Sequence, residues 1–269
     1  MRFTLCVESV AWISERKNTL SMVLYVLSLM IYLRFEDNPR VIWYCLSLGV
    51  FVLALLSKAS VVMLPVVIVL CVLWQRGEIR LRDLVRTIPF FILSAIFSAV
   101  TLLYYHTKEA HRLETTGTLS TLGGGFLERL ARAGKVVWFY IYKVLIPVNL
   151  MMPYPQWNMK GSQLVSFLPD IALIVCFLVL WHYRRTWGRG ILFGLGYFVI
   201  TLFPVMGFFG MAYMVYSPVA DHLQYISIIG VIAVVVGGGA YIYDRLHING
   251  IQLATGMIMV VVGVLGVLS

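Results

Sequence analysis

The chain has 269 residues, of which 61% are hydrophobic and 12% charged, with a mean hydropathy of +0.90 and a formal net charge of +9. Soluble domains carry about 25% charged residues, so this composition excludes a water-soluble globular protein and implies an integral, multi-pass membrane protein. The positive charge does not imply nucleic acid: most Arg and Lys residues lie in short stretches between apolar runs, where they orient helices, and no nucleic-acid motif is present.

A spanning helix needs about 20 mostly apolar residues. In chain order the candidates are Thr19–Leu33, Val41–Leu56, Ala59–Trp74, Ile88–Tyr105, Val165–Tyr183, Ile191–Gly207, Leu223–Tyr243 and Ile251–Ser269. The expectation is an all-α membrane protein of about eight transmembrane helices forming one transmembrane domain over residues 1–269. Alternating strand segments of the membrane-barrel kind are absent from this pattern. The first residues hold Glu8 and Glu15 where a cleavable signal needs an unbroken apolar stretch. Cys6, Cys45, Cys71 and Cys176 form no C-x-x-C pair and read as small apolar residues.

Arg34 to Arg40, the group Arg76, Arg80, Arg82 and Arg86, and the group Arg184, Arg185 and Arg189 all belong in the cytoplasm by the positive-inside rule. The outer side then receives the N-terminal segment, the turn at Lys58, the stretch 106–164 and the loop 208–222. Phe126–Ile146 is helical in pattern, with Arg129, Arg132 and Lys135 recurring at i+3 and Pro147 ending it. A single crossing there would move the Arg184 group outside, so it reads as an interfacial or re-entrant helix. The polar run His111 to Leu122 and Gly123-Gly124-Gly125 read as a mobile loop.

Four polar groups converge on the outer side, where polar residues at a membrane edge are costly unless solvated or used. In the first, Glu8, Trp12 and Glu15 share a helical face. They serve either as a solvated helix start anchored by Arg16 and Lys17 or as carboxylates holding an acceptor hydroxyl. In the second, Ser57-Lys58, Lys58 is either a snorkelling lysine or a point charge for phosphate; a Ser–Lys nucleophile is disfavoured by the divergence of adjacent residues. In the third, Tyr154 and Trp157 are either aromatic-belt residues or a surface for sugar or acyl chain. In the fourth, Asp221 and Gln224 have the spacing of a capping box, or Asp221 and His222 face a cavity and bind a phosphate or an acceptor hydroxyl. Phosphate-loop, zinc-protease, nucleophile-elbow and dinucleotide motifs are missing, as is the D-x-D of soluble sugar-nucleotide transferases. ATP-driven transport and zinc proteolysis are thus unsupported, and no metal or cofactor is implied.

VESVAWISERKN (Val7–Asn18), LLSKAS (Leu55–Ser60), TIPFF (Thr87–Phe91), PYPQW (Pro153–Trp157) and SPVADHLQY (Ser217–Tyr225) occur in that order. They resemble the transmembrane part of membrane glycosyltransferases of the GT-C fold related to protein O-mannosyltransferases, the type with C-terminal tetratricopeptide repeats. The resemblance covers nearly the whole chain, and VESVAWISERK is its most specific motif. It implies transfer of a sugar from a polyprenyl-phosphate donor to a protein or glycan acceptor at the outer face of the membrane, the inner membrane in a bacterial cell. Glu8, Glu15 and Asp221 would serve as carboxylates, Arg16, Lys58 and His222 would hold the donor phosphate, and Trp12, Tyr154, Trp157, Gln224 and Tyr225 would contact sugar or lipid. The resemblance also implies a partial domain: the family's large outer loop and repeat region have no counterpart here, and Phe3-Thr4-Leu5-Cys6 stands where the family reads L-H-P-V. The alternatives are a transporter, expected to show pseudo-symmetry and midplane polar residues, and a non-catalytic assembly subunit.

Overall fold

A computed structural model describes residues 16–116, 125–146, 154–155, 157, 164–208 and 217–246, with the side chains of 16, 105–106, 108–116, 164 and 241–246 excepted. Among the described residues the regular elements are all helices and no strand is present. Its elements are α1 (Arg16–Asp37), α2 (Val41–Ser57), α3 (Leu64–Arg76), α4 (Leu81–Thr116), α5 (Phe126–Leu145), α6 (Leu168–His182), α7 (Gly188–Leu202) and α8 (Ile228–Leu246), with short 3-10 turns between several of them. Five stretches are long and apolar enough to cross a bilayer: Lys17–Asp37, Ala59–Arg76, Leu81–Tyr104, Val165–His182 and Gly188–Val205. Val41–Ser57 and Ile228–Ala240 are shorter apolar helices. The protein is an integral, multi-pass membrane protein. The expected span Ile251–Ser269 lies outside the described residues.

Two boundaries differ from the sequence expectation. The helix expected from Ile88 begins at Leu81 and runs for 36 residues, about 54 Å at 1.5 Å per residue. It therefore absorbs the polar stretch His111–Thr116, which the sequence assigns to a loop. The helix expected from Leu223 begins at Ile228, because Asp221–Gln224 winds as a separate 3-10 turn.

The helices run up and down, so each end of the bundle collects its own residues. α1 and α2 are antiparallel and pack extensively. At mid-length Ser28 Oγ donates to the Ser47 carbonyl at 2.9 Å and Ser47 Oγ returns to the Ser28 carbonyl at 2.8 Å. Two small hydroxyl residues satisfy each other there, letting the backbones approach closely. Tyr25, Tyr32, Phe51, Leu64, Ile68 and Phe90 form the core shared by α1 to α4. A second core joins Val136, Val137 and Tyr140 of α5 to Phe198 and Leu202 of α7 and to Val219. The outward residues of α6, Ile171, Ile174, Val175 and Leu178 among them, are exposed and apolar, as lipid contact requires.

One end of the bundle is ionic. Glu36 accepts from Arg76 and, at 3.2 Å, from Arg86, while Arg76 also reaches Asp83 at 3.0 Å. Arg34 lies over Trp43, and Arg189 lies over Trp74 and donates to its carbonyl. The arginine groups that the sequence assigns to one compartment thus share one end.

α5 is not among the stretches able to cross. Arg129 near its start donates to the Phe208 carbonyl at 3.2 Å, and the Tyr140 hydroxyl near its finish donates to the Ala220 carbonyl at 2.9 Å. Both partners flank the opposite, non-ionic end, so α5 lies across that end. Its basic stripe is not a uniform lipid-facing surface: Arg132 is half-buried, and Lys135 sits 4.6 Å over the Trp157 ring.

Ala233 and Gly237 suggest a close-packing face on α8 from sequence, but a Cβ at Gly237 would meet nothing within 4 Å among the described residues. The close approach is at Gly194 and Gly230. A Cβ on Gly194 would lie 2.2 Å from Val234 Cγ2 and 2.7 Å from the Gly230 carbonyl oxygen. Gly194→Val is expected to push α7 from α8 and cost about 1–3 kcal/mol, as overpacking does. Gly237→Ala is the control, expected to change stability by less than about 1 kcal/mol. Thermal unfolding of the bilayer-reconstituted variants checks both.

Candidate functional site

The end of the bundle opposite the arginines is built around two turns. The first follows α2. Lys58 leaves the helix with an extended backbone, its N–H still donating to the Ala54 carbonyl at 3.0 Å. A 3-10 turn, Ala59–Met63, then leads into α3, whose first turn holds Pro65, where a missing N–H costs nothing. This break turns the Lys58 side chain toward the start of α1, where its ammonium donates to Asn18 Oδ1. Ser57 instead donates to the Lys17 carbonyl at 3.3 Å. Ser57 and Lys58 thus each reach the start of α1, and Lys58 has a protein partner instead of simply snorkelling to water.

The second turn, Asp221–Gln224, precedes α8. Its cap position is Ala220, with no side-chain cap bond. The capping-box reading of Asp221 and Gln224 is therefore corrected: the Asp221 carboxylate is taken by the Tyr154 hydroxyl, which lies 3.0 and 3.2 Å from its two oxygens. Tyr154 is itself anchored, its N–H donating to Ser217 Oγ at 2.9 Å, and the Ser217 hydroxyl donates to the Val219 carbonyl at 2.6 Å. Tyr140 of α5 grips the next link, since its oxygen also accepts from the Ala220 N–H at 3.0 Å. Tyr154 thus holds the carboxylate while Tyr140 holds the backbone just before it, and Asp221 is 6% exposed.

A small pocket lies between the two turns. Asn18, Ser21, Lys58, Ser60, Thr201 and His222 supply its polar wall, and Tyr225 adds an aromatic side. Among the described residues this wall carries the Lys58 cation with hydroxyl and amide groups that are partly engaged with one another: Lys58 donates to Asn18, Ser21 to the Asn18 carbonyl and Thr201 to the Tyr197 carbonyl. Asp221 precedes His222 in the chain, so the acid and the pocket are separated by one residue of the turn. Burial pushes the Asp221 carboxyl above the usual carboxylate range, opposed by the Tyr154 hydrogen bond and the Lys143 charge. Burial likewise lowers the Lys143 ammonium, opposed by Asp221.

Of the residues expected from sequence, Lys58, His222 and Tyr225 line the pocket, and Asp221 and Tyr154 bond to each other beside it. Gln224 is 1% exposed, and neither its amide oxygen nor its amide nitrogen has a partner among the described residues. In a 3-10 turn residues three apart eclipse, which sets Gln224 on the Asp221 side. Trp157 is not at the pocket; it packs edge-on against Phe139 with ring centroids 5.5 Å apart. Arg16 opens α1 at this same end, and its side chain lies outside the described residues. Glu8, Trp12 and Glu15 lie outside them too.

Sequence reasoning passes over Asn18, Ser21, Ser60, Thr201 and Lys143 as individual site residues. Isolated hydroxyls in apolar helices are too common to signal anything. Lys143 does carry a signal: a lone lysine in the apolar run Val136–Ile146, where an unneeded charge is costly. Among the described residues no cluster of His, Cys, Asp or Glu is arranged to hold a metal ion. No protein-family model, curated protein or solved structure matches the chain.

Proposed function

We propose that the chain forms the membrane part of a GT-C-like glycosyltransferase that moves a sugar from a polyprenyl-phosphate donor to a hydroxyl on a protein or glycan acceptor, working at the end that carries Asp221 and facing the outer side. One observation carries this reading: a small polar pocket with Lys58 and His222 in its wall lies at one end of a lipid-embedded bundle, and the buried carboxylate Asp221 precedes His222 in the same turn. The resemblance of VESVAWISERKN, LLSKAS and SPVADHLQY to that family points to the same residues. The collection of arginines at the opposite end fits the orientation, since positive ends face the cytoplasm.

The chemistry assigns each group a task. Asp221 takes the proton of the acceptor hydroxyl as its oxygen attacks the anomeric carbon. The bond from that carbon to the phosphate oxygen breaks, and the electron pair leaves on the polyprenyl phosphate. Lys58 and His222 face the charge that develops there, where fixed donors act most strongly. A lipid-linked donor approaches sideways from the bilayer, so no nucleotide clamp is required. Transport is less well supported: the mid-bundle Ser28 and Ser47 satisfy each other, and the polar pocket lies at one end.

The direct test is binding of a short-chain polyprenyl-phosphate sugar to the chain in nanodiscs, with the matching polyprenyl alcohol as competitor. The phosphate form should bind and the alcohol should not compete. Lys58→Met should weaken binding about ten- to hundredfold, the worth of a charge-assisted hydrogen bond. Equal binding of phosphate and alcohol, or an undiminished Lys58→Met, would sink the assignment.

A further inference from the structure

Lys143 stands near the end of α5, in a run whose other members are apolar or aromatic, and is 5% exposed. A lysine stem can carry its charge out to water from most helix surfaces; this one is turned inward. Its ammonium lies 5.3 Å from the ring centre of Tyr154 and 5.7 Å from that of Phe139, the distance range of a cation over an aromatic face. The same Tyr154 donates its hydroxyl to Asp221. A buried ammonium is stable only with a compensating charge nearby, and the carboxylate whose field it feels is that of Asp221.

We propose that Lys143 is a positioning residue for Asp221: acting across the Tyr154 ring, it keeps the buried carboxylate ionised and aimed as a proton acceptor. The proton-acceptor half of this rests on the transferase reading; the charge pairing stands without it. Among the described residues the groups that act on Asp221 are Tyr154, by its hydrogen bond, and Lys143 of α5, by its charge. His222, next in the turn, lines the pocket. Tyr140 of α5 spends its hydroxyl on the backbone of Ala220. α5 is therefore a structural arm whose final turn sets the protonation of the acid, which gives a purpose to laying an amphipathic helix across this end of the bundle.

The sign follows directly. Burial drives the carboxyl up, and the Tyr154 hydrogen bond and the Lys143 charge pull it back. Removing the charge leaves burial less opposed, so Asp221 protonates at higher pH. The measurement is infrared titration of the reconstituted chain, following the protonated-carboxyl band that Asp221→Asn abolishes. Lys143→Met, which keeps the length and loses the charge, should move the midpoint to higher pH. Lys143→Arg should return it toward the parent value. A purely packing role would leave the midpoint in place, and that result overturns the proposal.

Should Lys143→Met fail to fold, the pair Lys143→Met with Asp221→Asn decides the matter. Removing both charges should restore a monodisperse protein, whereas a packing role predicts that the pair misfolds like the single variant. A moved band in a protein that binds no polyprenyl phosphate would retain the pairing and sink the transferase reading. An unmoved band in a protein that binds the phosphate would do the reverse.

Discussion

Asp221→Asn is expected to lower sugar transfer, per unit of folded protein in the membrane, by about 10²–10⁴-fold, the contribution of a positioned general base. The substitution keeps the size of the side chain and its ability to accept from Tyr154, but removes both its capacity to take a proton and the negative charge that acts on Lys143, so transfer is normalised to the folded amount. Membranes supplied with radiolabelled polyprenyl-phosphate sugars and endogenous acceptors provide the readout. The pH dependence follows from burial. Because burial raises the Asp221 carboxyl above the ordinary carboxylate range, its base form is lost as pH falls through that raised value. Transfer should therefore fade on the acid side at a higher pH than an exposed carboxylate would dictate. Transfer that survives Asp221→Asn within a few fold would remove Asp221 from the chemistry and leave Glu8 and Glu15 as the carboxylates to test.

Glu36→Ala should cost about 3 kcal/mol of stability. The Glu36 side chain is 2% exposed and receives both Arg76 and Arg86, and breaking a buried pair costs about 3–5 kcal/mol. The lower end applies because the arginines are 33% and 19% exposed and can turn toward water. These contacts tie the end of α1 to the end of α3 and the start of α4, so the loss should appear as a lower unfolding temperature of the reconstituted protein. Arg80 with Glu78 provides the contrast. Both side chains are largely exposed, at 67% and 62%, and Glu78→Ala should change stability by less than about 1 kcal/mol. Equal effects of the two substitutions would show that burial of Glu36 does not govern the cluster.

The transferable lesson concerns where local signals stop. Apolar runs announce their own helices, because a bilayer leaves a backbone no partner but itself. The start of α4 at Leu81 escapes that rule: Arg82, Asp83 and Arg86 lower the hydropathy although Asp83 is packed beneath Arg76. The 3-10 turn at Asp221 escapes it too, since a capping-box spacing is equally compatible with a side chain bound elsewhere, here by Tyr154 from 67 residues away.

Composition and periodicity by themselves determined the membrane class, most of the helices and the sharing of one end by the arginines. They also singled out Lys58, Tyr154, Asp221 and His222, because polar residues in an apolar chain are few and costly. What only the tertiary structure decided is how these are joined: Asn18 against Lys58, Thr201 and Ser60 in the pocket wall, Lys143 behind Tyr154. The Lys58 bond to Asn18 joins residues 40 apart, and the Tyr140 bond to Ala220 joins residues 80 apart. Their partners are set by how helices pack side by side, and that packing leaves no periodic trace along the chain.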